Sequence, residues 1–266
     1  MAALSISRAW DETKAVLRSD GKLLAAVALA MFVLPGVVTD VVTPAAQPGE
    51  MAPVGYWTAI GFLAMIVSLI GQLAIVRLAL GPRVTVGEAI AHGARRALAY
   101  VGAAVLWIIP FLLALALLVS PYMADPESAP PGVLLGTFLV VLLFFYLFVR
   151  LILMTPVASA EAIGSVGILK RSWALTGGHF WKLLATLLLF LVMLAIVVAA
   201  IGAVVGTIVV LLLGRAEPFS ISALLLALVT QAVSALLTTV LMVLLARIYA
   251  QLAQGEASPV TVPDAR

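Results

Sequence analysis

Six long apolar runs separated by short polar stretches set the pattern of this chain, at about residues 23–42, 56–80, 98–119, 133–154, 183–213 and 221–246. A helix rising 1.5 Å per residue needs roughly 20 apolar residues to cross about 30 Å of hydrocarbon, so each run predicts a transmembrane helix. The fifth is too long for an upright crossing. Its GAVVG stretch at 202–206 predicts a tilt, a bend or a close helix contact there.

A second pattern precedes the odd-numbered runs. Ile6, Trp10, Thr13 and Leu17 recur at the 3.6-residue spacing of one helix face, while Arg8, Asp11, Glu12 and Arg18 fall mainly elsewhere. Val86, Ile90, Gly93 and Ala97 form a weaker stripe away from Glu88, His92 and Arg95, and Val166, Leu169 and Trp173 form a third opposite Lys170 and Arg171. An apolar stripe with basic residues and Trp suits a helix lying at the headgroup boundary. Each is expected to enter the following span through a short break. At the third, Gly177-Gly178 reads as the helix end that turns the chain, and Trp10, Trp173, Trp181 and Lys182 read as interfacial anchors.

The pattern repeats. RLALGPRVTVGEAI at 77–90 and RLILMTPVASAEAI at 150–163 agree at seven of fourteen positions without a gap. Each begins with Arg-Leu at the end of an even-numbered span, passes a proline (Pro82, Pro156) and reaches Glu-Ala-Ile, expected to open an amphipathic helix. ARIYAQLAQGEAS, with Arg247 and Ile248, offers a third Arg-apolar pair at the end of span six. The expected fold is therefore all-α: a bundle of six transmembrane helices in three pseudo-repeated pairs, each preceded by a cytoplasmic amphipathic helix. It forms one integral domain over 1–256, with a cytoplasmic tail at 257–266.

Charge then orients the bundle. The connections after spans one, three and five carry Glu50, then Asp125 and Glu127, then Arg215 with Glu217. Arg8, Lys14, Arg18 and Lys22 precede span one, Arg83, Arg95 and Arg96 follow span two, and Lys170, Arg171 and Lys182 follow span four. Counting those at span ends, fourteen of the fifteen Lys and Arg fall on one side, so by the positive-inside rule both termini are expected in the cytoplasm. The basic loops point to anionic headgroups as partners, and not to nucleic acid.

Composition agrees. The chain is 64% hydrophobic and 10% charged, against about 45–50% and about 25% in soluble domains. Without cysteine there is no disulfide, iron–sulfur or thiolate chemistry, but the compartment is left open. MAALSISRAWDETKAVLRSDGK is too long and too acidic for a signal-peptide n-region, and no small-x-small cleavage site follows, so the first run is expected to be a retained span. Eleven Arg against four Lys, with abundant Ala, suggest a bacterial chain.

Candidate chemistry is sparse. The two histidines, His92 and His179, form no metal-ligand pair, and no phosphate loop, GxSxG motif or acidic residue at a span centre occurs. No catalytic, cofactor or metal residue is expected. Two groups remain. Ser68 and Gln72 share a face of span two, and Thr230, Gln231, Ser234 and Thr238 mark span six; these either satisfy one another across helices or line a cavity. Arg77, Arg150 and Arg247 sit deep at the ends of even spans. They either snorkel to the boundary or converge on Glu88 and Glu161, or on a lipid phosphate, inside the bundle.

The stretch RSWALTGGHFWKLLATLLL resembles the Ser-Trp-x-Leu-x-x-Gly-x-x-Trp-(Lys/Arg) signature of the bacterial membrane domain found beside glycerophosphodiester phosphodiesterases, and of the related YciC-like integral membrane proteins. The closing ARIYAQL is similar to that group's C-terminus, and the resemblance spans about the last 120 residues. It implies a six-span helical membrane domain. It does not import catalysis, because the hydrolase part of those phosphodiesterases is a separate soluble domain and no such segment occurs in this sequence.

The expected function is a non-enzymatic accessory or membrane-homeostasis protein of the bacterial inner membrane, acting through lipid and a membrane-protein partner. The alternative is a carrier, exporter or resistance factor for a lipid, amphiphilic small molecule or peptide. Transporters commonly show an inverted repeat, whereas the units here enter from the same side. An enzyme acting on headgroups would need a base or nucleophile that the sequence does not offer.

Overall fold

A computed structural model describes residues 4–44, 54–81, 84–123, 125, 128, 130–214 and 220–257. Glu50, Pro82, Arg83, Glu127, Arg215, Glu217 and the tail from 258 onward lie outside the described residues. Among the described residues every regular element is helical: α1 (Ile6–Ser19), α2 (Gly21–Ala28), a π-helical turn (Leu29–Val33), α3 (Leu34–Val42), α4 (Tyr56–Leu80), α5 (Val86–Val119), α6 (Pro131–Arg150), α7 (Met154–Ala160), α8 (Ser165–Leu175), α9 (Phe180–Leu213) and α10 (Ile221–Ala257). Six stretches are long and apolar enough to cross a membrane: Gly21–Val42, Tyr56–Leu80, Val86–Tyr122, Pro131–Ala160, Phe180–Leu212 and Ile221–Gly255.

Span one is broken where its sequence requires it. Pro35 has no N–H and its ring crowds the carbonyl four residues earlier, that of Met31, inside the π-helical turn. The Ser68 hydroxyl of span two donates to that carbonyl at 3.3 Å. A polar side chain on one span thus satisfies a backbone group that proline frees on its neighbour.

Three expectations about boundaries change. The second amphipathic segment does not break before span three, because α5 runs unbroken for 34 residues from a Thr85 cap. Span four ends at Arg150 and not Met154: Leu151 to Leu153 form a turn, and α7 follows as a separate helix with six of its seven residues buried. Pro156 sits near the start of α7, where a missing N–H does little harm. At 202–206, α9 continues without a break, and a Cβ on Gly202 or Gly206 would meet nothing within 4 Å, so no close helix contact forms there.

The first and third amphipathic segments form separate helices, α1 and α8, but each turns a different face inward from the one its pattern suggests. Ala9, Thr13 and Val16 form the buried face of α1, which packs on the end of α10, so Trp10 points away from the bundle. In α8, Ile168, Ser172 and Leu175 face the core, while Val166 and Trp173 stay exposed. Gly178, at φ 74°, takes the left-handed conformation that ends α8 and starts the turn into α9.

The core is concentrated at one end of the bundle. There α7 is packed between α4, α5, α8 and α10, and both ends of the described chain meet, with the Ser5 N–H 3.3 Å from the Gln251 side chain. Leu73 to Val76 on α4 and Met242 to Ala246 on α10 are buried in succession, enclosed on every side. Toward the other end the helices separate, and residues such as Phe138, Leu189, Ile196 and Leu211 present apolar side chains outward, as lipid-facing helices do.

Candidate functional site

Arg77, Arg150 and Arg247 do not gather around Glu88 and Glu161. The Glu88 carboxylate accepts from the Thr85 N–H at 2.8 Å and from its hydroxyl at 2.9 Å, closing the cap of α5. Arg247 donates to the Ala79 carbonyl in the last turn of α4, and its Nε is buried without a partner. The Arg150 guanidinium lies 4.1 Å over the Trp173 ring, and its Nε too is buried and unpaired. The Arg150 carbonyl meanwhile accepts from the Thr176 hydroxyl at 2.8 Å. Arg77 is half-buried, and among the described residues no acceptor pairs with its side chain. It lines a pocket of about 340 Å³ with Gly81, Ser159, Tyr249 and Gln254.

Glu161 does have cationic company, supplied by other residues. Arg171 donates from Nε at 2.9 Å and the Tyr249 hydroxyl at 2.8 Å, both to Oε1. Around it lies a latch that sequence patterning reads only as a basic headgroup-facing stretch. Arg96 donates from Nε to the Ala158 carbonyl at 2.8 Å, and from Nη2 to the carbonyls of Glu161 and Ile163, each at 2.6 Å. His92 Nε2 donates to the Ser159 carbonyl at 2.8 Å, and the Ser159 hydroxyl passes on to the Leu73 carbonyl at 2.9 Å. The last carbonyls of α7 lack helical partners; His92 and the fixed fork of Arg96 supply Ser159 and Ala158 from α5, with a charge on Arg96 suited to a helix C-terminus, and the fork goes on to the connection that follows. Tyr100 with Thr155 at 3.0 Å, and Ser165 with the Ala99 carbonyl at 2.9 Å, tie α5 to α7 and to the start of α8.

Toward the opposite end, the polar residues of spans two and six do meet. Ser68, Gln72, Gln231, Ser234 and Thr238 line one cleft of about 340 Å³ between α3, α4 and α10. Thr230 does not join them; it faces a small gap of about 60 Å³ between α9 and α10. Two residues absent from the sequence expectation complete the cleft, Thr39 and Asp40. The Gln231 amide donates to Asp40 Oδ2 at 2.8 Å, and Gln231 lies over Gly36, where any side chain would displace it. The available signal was a carboxylate and a glycine four residues apart on span one.

The remaining anchors ring the packed end. Trp10, Trp173 and Trp181 are exposed, Trp181 at 77%, and Lys182 donates from Nζ to the Leu4 carbonyl at 3.2 Å. Tyr146 meets Trp173 edge-on, Phe180 meets Trp181 edge-on, and Tyr146 and Phe180 contact each other at a tilt, making an aromatic patch that continues into an apolar groove between α6 and α9.

Among the described residues, the packed end thus holds a half-buried arginine, Arg77, with whose side chain no acceptor pairs, and the open end a polar cleft. Comparison with curated proteins and with solved structures gives no match. The family model for the membrane domain of glycerophosphoryl diester phosphodiesterase matches residues 127–261, more than half of the chain. The match takes in α6 to α10, and with them Arg150, Glu161, Trp173, Trp181, Gln231 and Arg247; the chain belongs to the family of that membrane domain.

Proposed function

We propose that this protein is a non-enzymatic component of a bacterial inner membrane, with both termini cytoplasmic. It acts as an accessory or membrane-homeostasis factor by holding anionic lipid at its packed end and contacting a membrane-protein partner. The observation that carries the reading is Arg77: a half-buried arginine with no pairing side chain among the described residues, lining a pocket of about 340 Å³. A guanidinium takes a phosphate through two parallel hydrogen bonds, and the cytoplasmic leaflet is where anionic headgroups concentrate. Fourteen of the fifteen Lys and Arg in the sequence support the same side. Glu161, hydrogen-bonded to Tyr249 of the pocket wall, accepts from Arg171 and Tyr249, which suits a structural role better than that of a general base.

A carrier for an amphiphile is the second reading. The feature that favours it is the α4–α10 seam, which has a cavity at either end and the buried run of Leu73 to Val76 between them.

Affinity purification of the wild type and of Arg77→Gln from the native membrane tests the first reading. The wild type is expected to retain anionic phospholipid above its share of the bulk membrane, chemically unaltered, together with a membrane-protein partner. Arg77→Gln is expected to lose that enrichment while remaining folded. Bulk lipid composition in both, or conversion of the retained lipid to a product, contradicts the proposal.

A further inference from the structure

The cleft between α3, α4 and α10 is independent of the Arg77 pocket and carries a different charge. Asp40 lies eighteen residues beyond Lys22, or about 27 Å along the helix, and Gln231 sixteen residues before Arg247, or about 24 Å. Both therefore sit near the far boundary of a hydrocarbon layer about 30 Å thick. From there Ser234, then Ser68 and Thr238, then Gln72 carry polar groups down the cleft to mid-depth and below. Phe32 and Met65 supply an apolar wall beside them.

Asp40 is exposed to this cleft and, among the described residues, receives one hydrogen bond, from the neutral Gln231 amide at 2.8 Å. No Lys or Arg pairs with it among the described residues. A carboxylate beside hydrocarbon is costly unless a cation or several donors compensate it, and acidic residues kept in spans mark binding paths. The cleft offers further acceptors, from the hydroxyls of Ser68, Ser234 and Thr238 and the amide oxygen of Gln72. One carboxylate with neutral oxygens is too few ligands of charge for a divalent metal, but it matches a single organic cation. The polar floor beside an apolar wall selects a molecule with both characters.

We propose that this cleft binds a cationic amphiphile, its ammonium or guanidinium group paired with Asp40 and its apolar part against Phe32 and Met65. The site does not depend on lipid held at Arg77.

Tritiated tetraphenylphosphonium, a lipophilic cation, tests the site on full-length protein in nanodiscs, with binding to empty nanodiscs subtracted. Saturable binding is expected in the wild type. It is expected to be weakened about tenfold or more in Asp40→Asn and largely restored in Asp40→Glu. The anion tetraphenylborate, of the same shape, is expected to show no saturable binding. Equal affinity in wild type and a folded Asp40→Asn overturns the proposal. So does equal saturable binding of tetraphenylborate by the wild type, a result that needs no variant to fold.

Discussion

Arg96→Ala is expected to destabilise the protein by about 2–4 kcal/mol, because three part-buried carbonyls, that of Ala158 in α7 and those of Glu161 and Ile163 in the connection to α8, lose their charged donor together. No neighbour replaces the fork: His92 is engaged by Ser159, and Arg171 by Glu161. Arg96→Lys should recover only part of the loss, since one ammonium reaches fewer of the three oxygens than a guanidinium does. Unfolding in dodecyl maltoside, followed by circular dichroism against added denaturing detergent, measures both. An Arg96→Ala protein as stable as the wild type would show that the latch does not hold α7.

Gly93→Val is expected to have a comparable effect for a steric reason. A Cβ at Gly93 would lie 2.6 Å from the Ile70 carbonyl oxygen and 3.3 Å from the Ala74 nitrogen, and neither backbone atom can swing aside as a side chain does. The α4–α5 contact must open, and overpacking of this kind costs about 1–3 kcal/mol or more. Gly93→Ala gives a test of sign. Helix propensity favours Ala over Gly by about 1 kcal/mol, so a stabilised Gly93→Ala would refute the close approach. Gly206→Ala, with open space around it, should be neutral or stabilising in the same assay.

The six spans were legible because apolar length is a property of the chain alone, and the helix end at Gly177-Gly178 because glycine is needed for its backbone. The meeting of Ser68 and Gln72 with Gln231, Ser234 and Thr238 was legible because polar faces in hydrocarbon seek one another. α7 was not legible. LILM at 151–154 reads as a continuation of span four, and the turn there is enforced by tertiary packing, with Pro156 its sole local trace.

The arginine cluster shows where a repeat misleads. Thr85, three residues before Glu88, supplies the hydroxyl that draws the carboxylate into the cap of α5. The corresponding residue before Glu161 is Ala158, so Glu161 has no cap to close and stands in the connection between α7 and α8, free to meet Arg171 and Tyr249. Half the aligned residues agree, yet Glu88 falls in the first turn of α5 with Thr85 to cap, whereas Glu161 follows the last turn of α7 with Ala158 in the corresponding place. The bonds from Arg96 and His92 to the end of α7 were not legible, because periodicity reports which face a residue occupies and is silent on whether another helix or water covers it. Asp40 escaped because a carboxylate two residues from the end of a span reads as part of the loop.

A lipid-holding role for Arg77 depends on which end of the bundle faces the cytoplasm. The Arg77 pocket needs the anionic leaflet, and the Asp40 cleft then opens near the outer one. The cysteine-free sequence makes the test clean. Single cysteines at Ser128, exposed and three residues before α6, and at Ser7, on the exposed face of α1, are to be treated in intact cells with a membrane-impermeant maleimide. The account predicts labelling at 128 and protection at 7 until the cells are opened; labelling at 7 with protection at 128 would contradict it.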